Sequence, residues 1–549
     1  MKKHTKYKRI IFFFVLLILG IGFFLRSYAL SSIPPHPSLD EVSIGYNAYS
    51  ILETGKDEFG SQFPILLRAY DDYRPALYVY LVIPFVKLFG LSVLAVRFPS
   101  LILSVATIAF FYIVARCIFR QLSFEKPAAL ALVPTVLLAI SPWHIYLSRL
   151  GHEVNAYLAF FIIGFGFFLN SIKKKNINAY GLIASSVFFS LSFSAYQSGK
   201  IFVPLFILLL IVFYFKMIKE NYKKFIPAVV IGVILCMPIL ISSFQPEALV
   251  RLKATSIFNV SFETSLENAQ KLIKYKEDSD YANIILYNRH VFPFSLFVSS
   301  FISHFDYRFI YGSGNYEQFK IPGFGLYYVI EIPLLTMGIL YLFTKRKFKW
   351  IIFLLSWYVI GVLPSIVSTH SPHAMRAFAG IGPLLIVSGL GMGYVRLKKK
   401  KYKTVIAGVA TVYVLFVVVS VTQFFTSYTK SFPKEYSSQF QYGVIQAMNY
   451  IDKFDGEIVI SNRGNLSASY MYYLFANRYS PQKYQSQGGT ISGWFNYERK
   501  IGKVSFRNPE GYMKDNVVLV INPQEYKTGS IIHKIKNLKG EEVILIVQR

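Results

Sequence analysis

Apolar runs of about twenty residues recur along this chain, separated by short polar connections. Nothing else in the sequence constrains its fold as strongly. A helix rises about 1.5 Å per residue, so about twenty apolar residues cross the ~30 Å hydrocarbon layer of a bilayer. Eleven spans are expected, at roughly 10–25, 93–118, 127–147, 153–171, 177–195, 201–218, 225–243, 324–343, 350–368, 377–395 and 404–425. The shorter run "ALYVYLVIPFVKLFG" (76–90) holds Pro84 and Lys87 and reads as a helix lying at the outer membrane interface.

Charge gives the threading. The net charge of +29 on 549 residues is not spread as on a nucleic-acid-binding surface. It gathers at the N-terminus (Lys2, Lys3, Lys6, Lys8, Arg9) and in clusters at Arg116–Lys126, 173–175, Lys216–Lys224, 345–349 and 396–403. With eleven spans every cluster falls on one side, the cytoplasmic side by the positive-inside rule. The N-terminus is therefore expected inside, as an uncleaved first span rather than a signal peptide, and the C-terminus outside. Cys117 and Cys236 lie in different apolar runs, which speaks against a disulfide framework.

Four regions result: a membrane domain over 1–428, a first outer loop over 31–92, a longer outer loop over 244–323, and a soluble α/β domain over 429–549. The last is read from the short β-branched runs "EIVIS" (457–461), "VVLVIN" (517–522) and "EEVILIV" (541–547), with "SASYMYYLFANR" (467–478) as a helix. No phosphate-binding glycine loop, HExxH pair or CxxC pair occurs, which disfavours a nucleotide-driven pump and a zinc site.

The chemistry concentrates in "HPSLDEVSIGYNAYSILETG" (36–55). Ser38 and Glu41 have the S-x-x-E spacing of a capping box. That accounts for Glu41 but not for Asp40, an acidic residue set among apolar groups at a membrane surface, which is a functional candidate.

This segment, with "DDYRPALYVYL" (71–81) and "LFGLSVLAVRFPSL" (88–101), resembles the GT-C glycosyltransferases, in the branch of the protein O-mannosyltransferases and the lipid A aminoarabinose transferase. Weaker similarity continues in "SPWHIYLSRLGHEVNAYLAFF", "SFSAYQSGKIFVPL", "YGSGNYEQFKIPGFG" and "HAMRAFAGIGPLL". The chain has Arg74-Pro75-Ala76 where the family has a basic residue before two prolines, and Glu153 where an Asp is frequent. The resemblance implies a multi-pass enzyme that moves a sugar from a polyprenyl-phosphate carrier to a hydroxyl acceptor outside the cytoplasm, with inversion. It implies Asp40 as catalytic base, aided by Glu41, and Arg74 on the leaving phosphate. Arg376, His373, Asp72, Tyr73 and Arg149 are further candidates for donor contact; a snorkelling role competes for Arg149 and Arg376. No cofactor is expected, although Asp40 and Glu41 have the oxygen ligands Mg²⁺ or Mn²⁺ would take. The partners implied are the lipid-linked sugar, the bilayer and an acceptor glycan, lipid or protein, with no nucleic acid. The competing readings are a flippase for lipid-linked sugars and an oligosaccharide transferase or polymerase.

Overall fold

A computed structural model describes residues 2–173, 176–246, 256–259, 262–289, 291–312, 319–398, 403–510 and 516–549. Residues 174–175 and 313–318, the latter inside the "YGSGNYEQFKIPGFG" resemblance, lie outside the described residues, as do parts of the 244–323 loop and of the 396–403 cluster.

Each expected span falls on a helix. Among the described residues, seven helices are long and apolar enough to cross a membrane. The run at 127–147 is a bent pair, Pro127–Ile140 and Pro142–Ser148, turned by 55°. Pro142 lacks the N–H that would continue the ladder, which explains a break there. Ala179–Ala195, Gln197–Phe213 and Val329–Thr344 are apolar but shorter. This is a multi-pass α-helical membrane protein with a small strand-rich C-terminal segment.

The chain divides into two compact units. One holds Met1–Gly22, Ala106–Leu147 and Tyr157–Val421; the other holds Phe23–Val105, Ser148–Ala156 and Thr422–Arg549. The first is a helical bundle. Its interior contains the rings of Phe161, Phe165, Phe206 and Trp357, with centroids 4.8–6.1 Å apart and mostly edge-to-face. Serine hydroxyls join neighbouring helices: Ser185 donates to the carbonyl of Gly164 at 2.8 Å, and Ser192 to that of Tyr157 at 2.9 Å. Hydrophobic burial gives little drive between helices in lipid, so such packing and bonding hold them together.

The second unit positions the candidate site. It contains the end of α1 (Lys2–Ser27), then α2 (Leu39–Thr54), the hairpin β1 (Leu66–Ala69) and β2 (Asp72–Pro75), α3 (Leu77–Phe89) and the start of α4 (Val93–Gln121). α2 begins with the capping box: Ser38 Oγ accepts from the Glu41 N–H at 3.2 Å, and Glu41 Oε2 accepts from the Ser38 N–H at 2.9 Å. It ends at Gly55, whose φ of 71° is the left-handed turn glycine adopts without strain.

The C-terminal part carries a six-stranded sheet in the spatial order Arg499–Ile501, Val504–Phe506, Ile458–Ile460, Val518–Ile521, Glu542–Gln548, Ser530–Lys536. Ile458–Ile460 runs parallel to both of its neighbours, and the outer pairs are antiparallel. Val459, Leu519, Ile521, Leu545 and Val547 form its buried apolar cluster.

Candidate active site

Two fully buried arginines fasten the link from α1 to α2. The Arg149 guanidinium donates to the carbonyls of Leu25, Arg26, Tyr28 and Ile33 at 2.7–3.1 Å. The last carbonyls of a helix have no partner within it and carry partial negative charge, so a cation there is well placed. Arg149 therefore does not snorkel to water; it closes the end of α1 from inside the protein. Arg97, at the start of α4, donates to Leu30, Pro34 and His36 carbonyls at 2.9–3.3 Å and grips Glu41.

Glu41 is 2% exposed, and both of its oxygens are taken. Oε1 accepts from Arg97 Nε at 2.7 Å and the Gly151 N–H at 2.8 Å; Oε2 accepts from Arg97 Nη2 at 3.1 Å and the Ser38 N–H. Burial raises its pKa, but Arg97 and the backbone donors outweigh burial and hold the carboxyl below its ordinary value. Gly151 must be glycine for this contact: a Cβ there would lie 2.6 Å from Val96 Cγ1 and 3.0 Å from the Val96 carbonyl. His36 is buried beside them. Its Nδ1 donates to the Pro37 carbonyl and its Nε2 accepts from the Ile445 N–H, an arrangement that needs the neutral ring. Burial lowers its pKa to about 4.

Asp40 is the next residue, yet its surroundings are opposite. Its side chain is 50% exposed. Oδ1 accepts from Arg74 Nη1 at 2.9 Å, and Oδ2 lies 3.8 Å from His152 Nε2. His152 Nδ1 accepts from the Val154 N–H at 3.2 Å and lies 3.4 Å from Glu153 Oε2. Arg74 is 3% exposed; its Nη2 donates to Ser43 Oγ, one turn along α2, at 2.9 Å, and its buried Nε has no hydrogen-bond partner. Strand pairing sets its place: β2 pairs with β1 with Arg74 opposite Leu67. Asp72 and Tyr73 precede it on β2, half-buried, with Asp72 Oδ1 accepting from the Tyr73 N–H.

Of the residues expected from sequence, Asp40, Glu41, Arg74, Asp72, Tyr73 and Arg149 share this unit. His373 and Arg376 belong to the other, where the His373 N–H donates to Ser365 Oγ at 2.8 Å and its ring meets Phe319 at 5.3 Å. Arg97, Ser43 and His152 were not singled out. Arg97 carried the readable signal, an arginine at the start of an otherwise apolar run. Asp40 and Glu41 do not make a metal-ligand pair, because Glu41 has no oxygen left to give and Asp40 already faces a guanidinium.

The arrangement is thus a half-exposed carboxylate on a fixed helix N-terminus, flanked by a buried arginine and a histidine. It can accept a proton, and the guanidinium can stabilise an anion beside it.

Residues 73–241 match the family described as dolichyl-phosphate-mannose-protein mannosyltransferase. No curated protein matches the sequence. Among solved structures, ArnT from Cupriavidus metallidurans bound to undecaprenyl phosphate aligns with a TM-score of 0.52 at 12% identity, over 99% of this chain and 98% of that one. The archaeal oligosaccharyltransferase AglB from Archaeoglobus fulgidus, in complex with an inhibitory peptide and a dolichol-phosphate, aligns with a TM-score of 0.50 at 13% identity, over 86% of this chain and 64% of that one. The family match takes in the end of the first outer loop but not Asp40 or Glu41, and the likeness to the solved structures is one of fold over nearly the whole chain.

Proposed function

We propose that this chain transfers a sugar from a polyprenyl-phosphate carrier to a hydroxyl acceptor on the outer face of the membrane. The observation that carries the reading is the contrast between Asp40 and Glu41. Glu41 is locked by Arg97, Gly151 and Ser38, so it fixes the helix start; Asp40, held by that start, keeps half of its surface open beside Arg74. Both solved relatives were captured with a polyprenyl phosphate or dolichol-phosphate, which supports a carrier of that class here.

In this mechanism the acceptor oxygen attacks C1 of the sugar while the bond from C1 to the phosphate oxygen breaks. The acceptor proton passes to Asp40, and the polyprenyl phosphate leaves with the bonding electrons. Attack opposite the departing phosphate inverts C1. Arg74 holds positive charge where the phosphate's negative charge grows, and such preorganised charge is worth most in a site shielded from water. His152 stands beside the base, with its Nε2 3.8 Å from Asp40 Oδ2.

The test is Asp40→Asn in purified protein supplied with polyprenyl-phosphate sugars. The amide keeps the shape and the contact to Arg74 is weakened, while the base is gone. Transfer should fall at least 100-fold, on the order expected for a general base, with the thermal midpoint little changed. Near-normal turnover would reject the assignment. Unaltered movement of an intact lipid-linked sugar across the bilayer would instead favour the flippase.

A further inference from the structure

We propose that a groove at one edge of the C-terminal sheet binds a neutral, hydroxyl-rich glycan and so presents the acceptor. The inference rests on the transferase reading for the word acceptor and on the groove alone for glycan binding.

The groove has a volume of about 820 Å³, within the usual range of small-molecule sites. It lies where the topology favours a ligand. Ile458–Ile460 and Val518–Ile521 are parallel neighbours. The chain leaving the first goes to Arg499–Ile501 and then Val504–Phe506 on one side, and the chain leaving the second goes to the antiparallel strands on the other. Their outgoing loops diverge, and in sheets with parallel strands the crevice at such a switch point is where ligands bind. Those two loops supply much of the lining, with Asn465 and Ser467 from one and Asn522 and Gln524 from the other.

The chemistry of the walls narrows the ligand. The charged side chains there are already paired: Arg463 with Glu510 at 3.5 Å, Glu542 with Lys534 at 2.9 Å, and Glu525 with the Ser461 hydroxyl and the Asn522 amide. What remains toward the opening is amide, hydroxyl and one aromatic ring, Phe495, which is 44% exposed. Nδ2 of Asn465 is buried and has no hydrogen-bond partner, a donor left unused at a real energetic cost. Amides donate to and accept from hydroxyls, and an exposed ring offers a flat apolar face to the C–H side of a sugar. A phosphate or an acidic peptide would want unpaired cations instead. The groove also has a direction: Leu39, the residue before Asp40, forms part of its wall.

The experiment uses the full chain in detergent and measures saturation transfer to maltotriose, cellotriose and chitotriose, with a neutral tripeptide as comparison. At least one trisaccharide should bind. Asn465→Leu and Phe495→Ala should each weaken it about tenfold, the size of one lost hydrogen bond or stacking contact. Lys500→Ala, on the distant edge strand, should leave it unchanged, and so should Asp40→Asn. Thermal midpoints of the variants identify any that fail to fold, and Asn465→Asp then replaces Asn465→Leu. Trisaccharide binding by the parent protein with no transfer by that same protein would uphold the groove and reject the transferase reading. Binding by the tripeptide alone, by no trisaccharide, or with no loss in either groove variant would overturn the proposal.

Discussion

Arg97 meets Glu41 through two parallel bonds, Nε to Oε1 at 2.7 Å and Nη2 to Oε2 at 3.1 Å, across 56 residues of chain. Neither side chain reaches water. A buried pair of this kind is costly to break from one side, by about 3–5 kcal/mol, because the remaining charge is stranded. Glu41→Gln and Arg97→Met should therefore both lower the thermal midpoint sharply. Arg97→Met should do more damage, since it also frees the carbonyls of Leu30, Pro34 and His36. The double variant should lose less than the two single losses added together, and unfolding of the three proteins in detergent measures this. A stable but inactive Glu41→Gln would instead place Glu41 in the chemistry.

Glu58 gives a pH dependence. It is fully buried, with Asn47, Tyr470 and Thr490 donating to its oxygens. Burial raises its pKa to about 7; the Asn47 and Thr490 bonds and Arg499 oppose this, while Asp57 adds to it. The folded form thus holds the proton more tightly than the unfolded chain does. Its contribution to stability is complete below the usual glutamate value near 4.5 and is lost as the pH rises through about 7. The change is on the order of 3 kcal/mol. Asp57, raised chiefly by burial, acts in the same direction. The thermal midpoint should fall between pH 4.5 and 8 in the parent, and Glu58→Gln should flatten that slope. An unchanged slope would assign it to other groups.

What the sequence made legible follows the range of the interactions. Span positions were readable because a bilayer imposes length and apolarity on each segment alone. The Ser38–Glu41 box was readable because its partners are three residues apart. Arg74 stands 34 residues from Asp40, and only the family resemblance joined them. Glu41 and Arg97 carry no local signal of each other. Arg149 read as a snorkelling residue because a cation near the end of an apolar run looks the same whether it faces water or closes a helix. The strands Arg499–Ile501 and Ser530–Lys536 escaped notice for a related reason: edge strands carry lysine and arginine, which blurs the alternation that marks a strand.

Topology is open to direct test. The basic clusters assign the loop holding Ser61 to the outside and the connection holding Lys219 to the cytoplasm. Both positions are exposed. With Cys117 and Cys236 replaced by serine, a cysteine at Ser61 should react with an impermeant thiol reagent in intact cells. One at Lys219 should react only after permeabilisation. The reverse pattern would invert the threading and put Asp40 on the cytoplasmic side.

The last prediction separates Arg74 from its neighbour on the hairpin. Arg68 lies opposite Tyr73, pairs with Asp71 at 2.5 Å and is partly exposed, so it resembles an ordinary surface ion pair worth about 0–1 kcal/mol. Arg74 is buried, shares its charge with Asp40 and has an unsatisfied Nε. If it stabilises the leaving phosphate, Arg74→Ala should cost on the order of 3 kcal/mol in the transition state, about 100-fold in rate, while Arg68→Ala stays within about twofold. Arg74→Lys is the sharper probe. Lysine keeps the charge but loses the forked geometry that reaches Asp40 and Ser43 together, so it should recover only part of the rate. Binding of polyprenyl phosphate alone should weaken in Arg74→Ala and not in Arg68→Ala. If Arg74→Ala lowers the thermal midpoint while the surviving folded protein binds polyprenyl phosphate and turns over normally, the residue serves only to fasten β2 to α2, and the phosphate assignment fails.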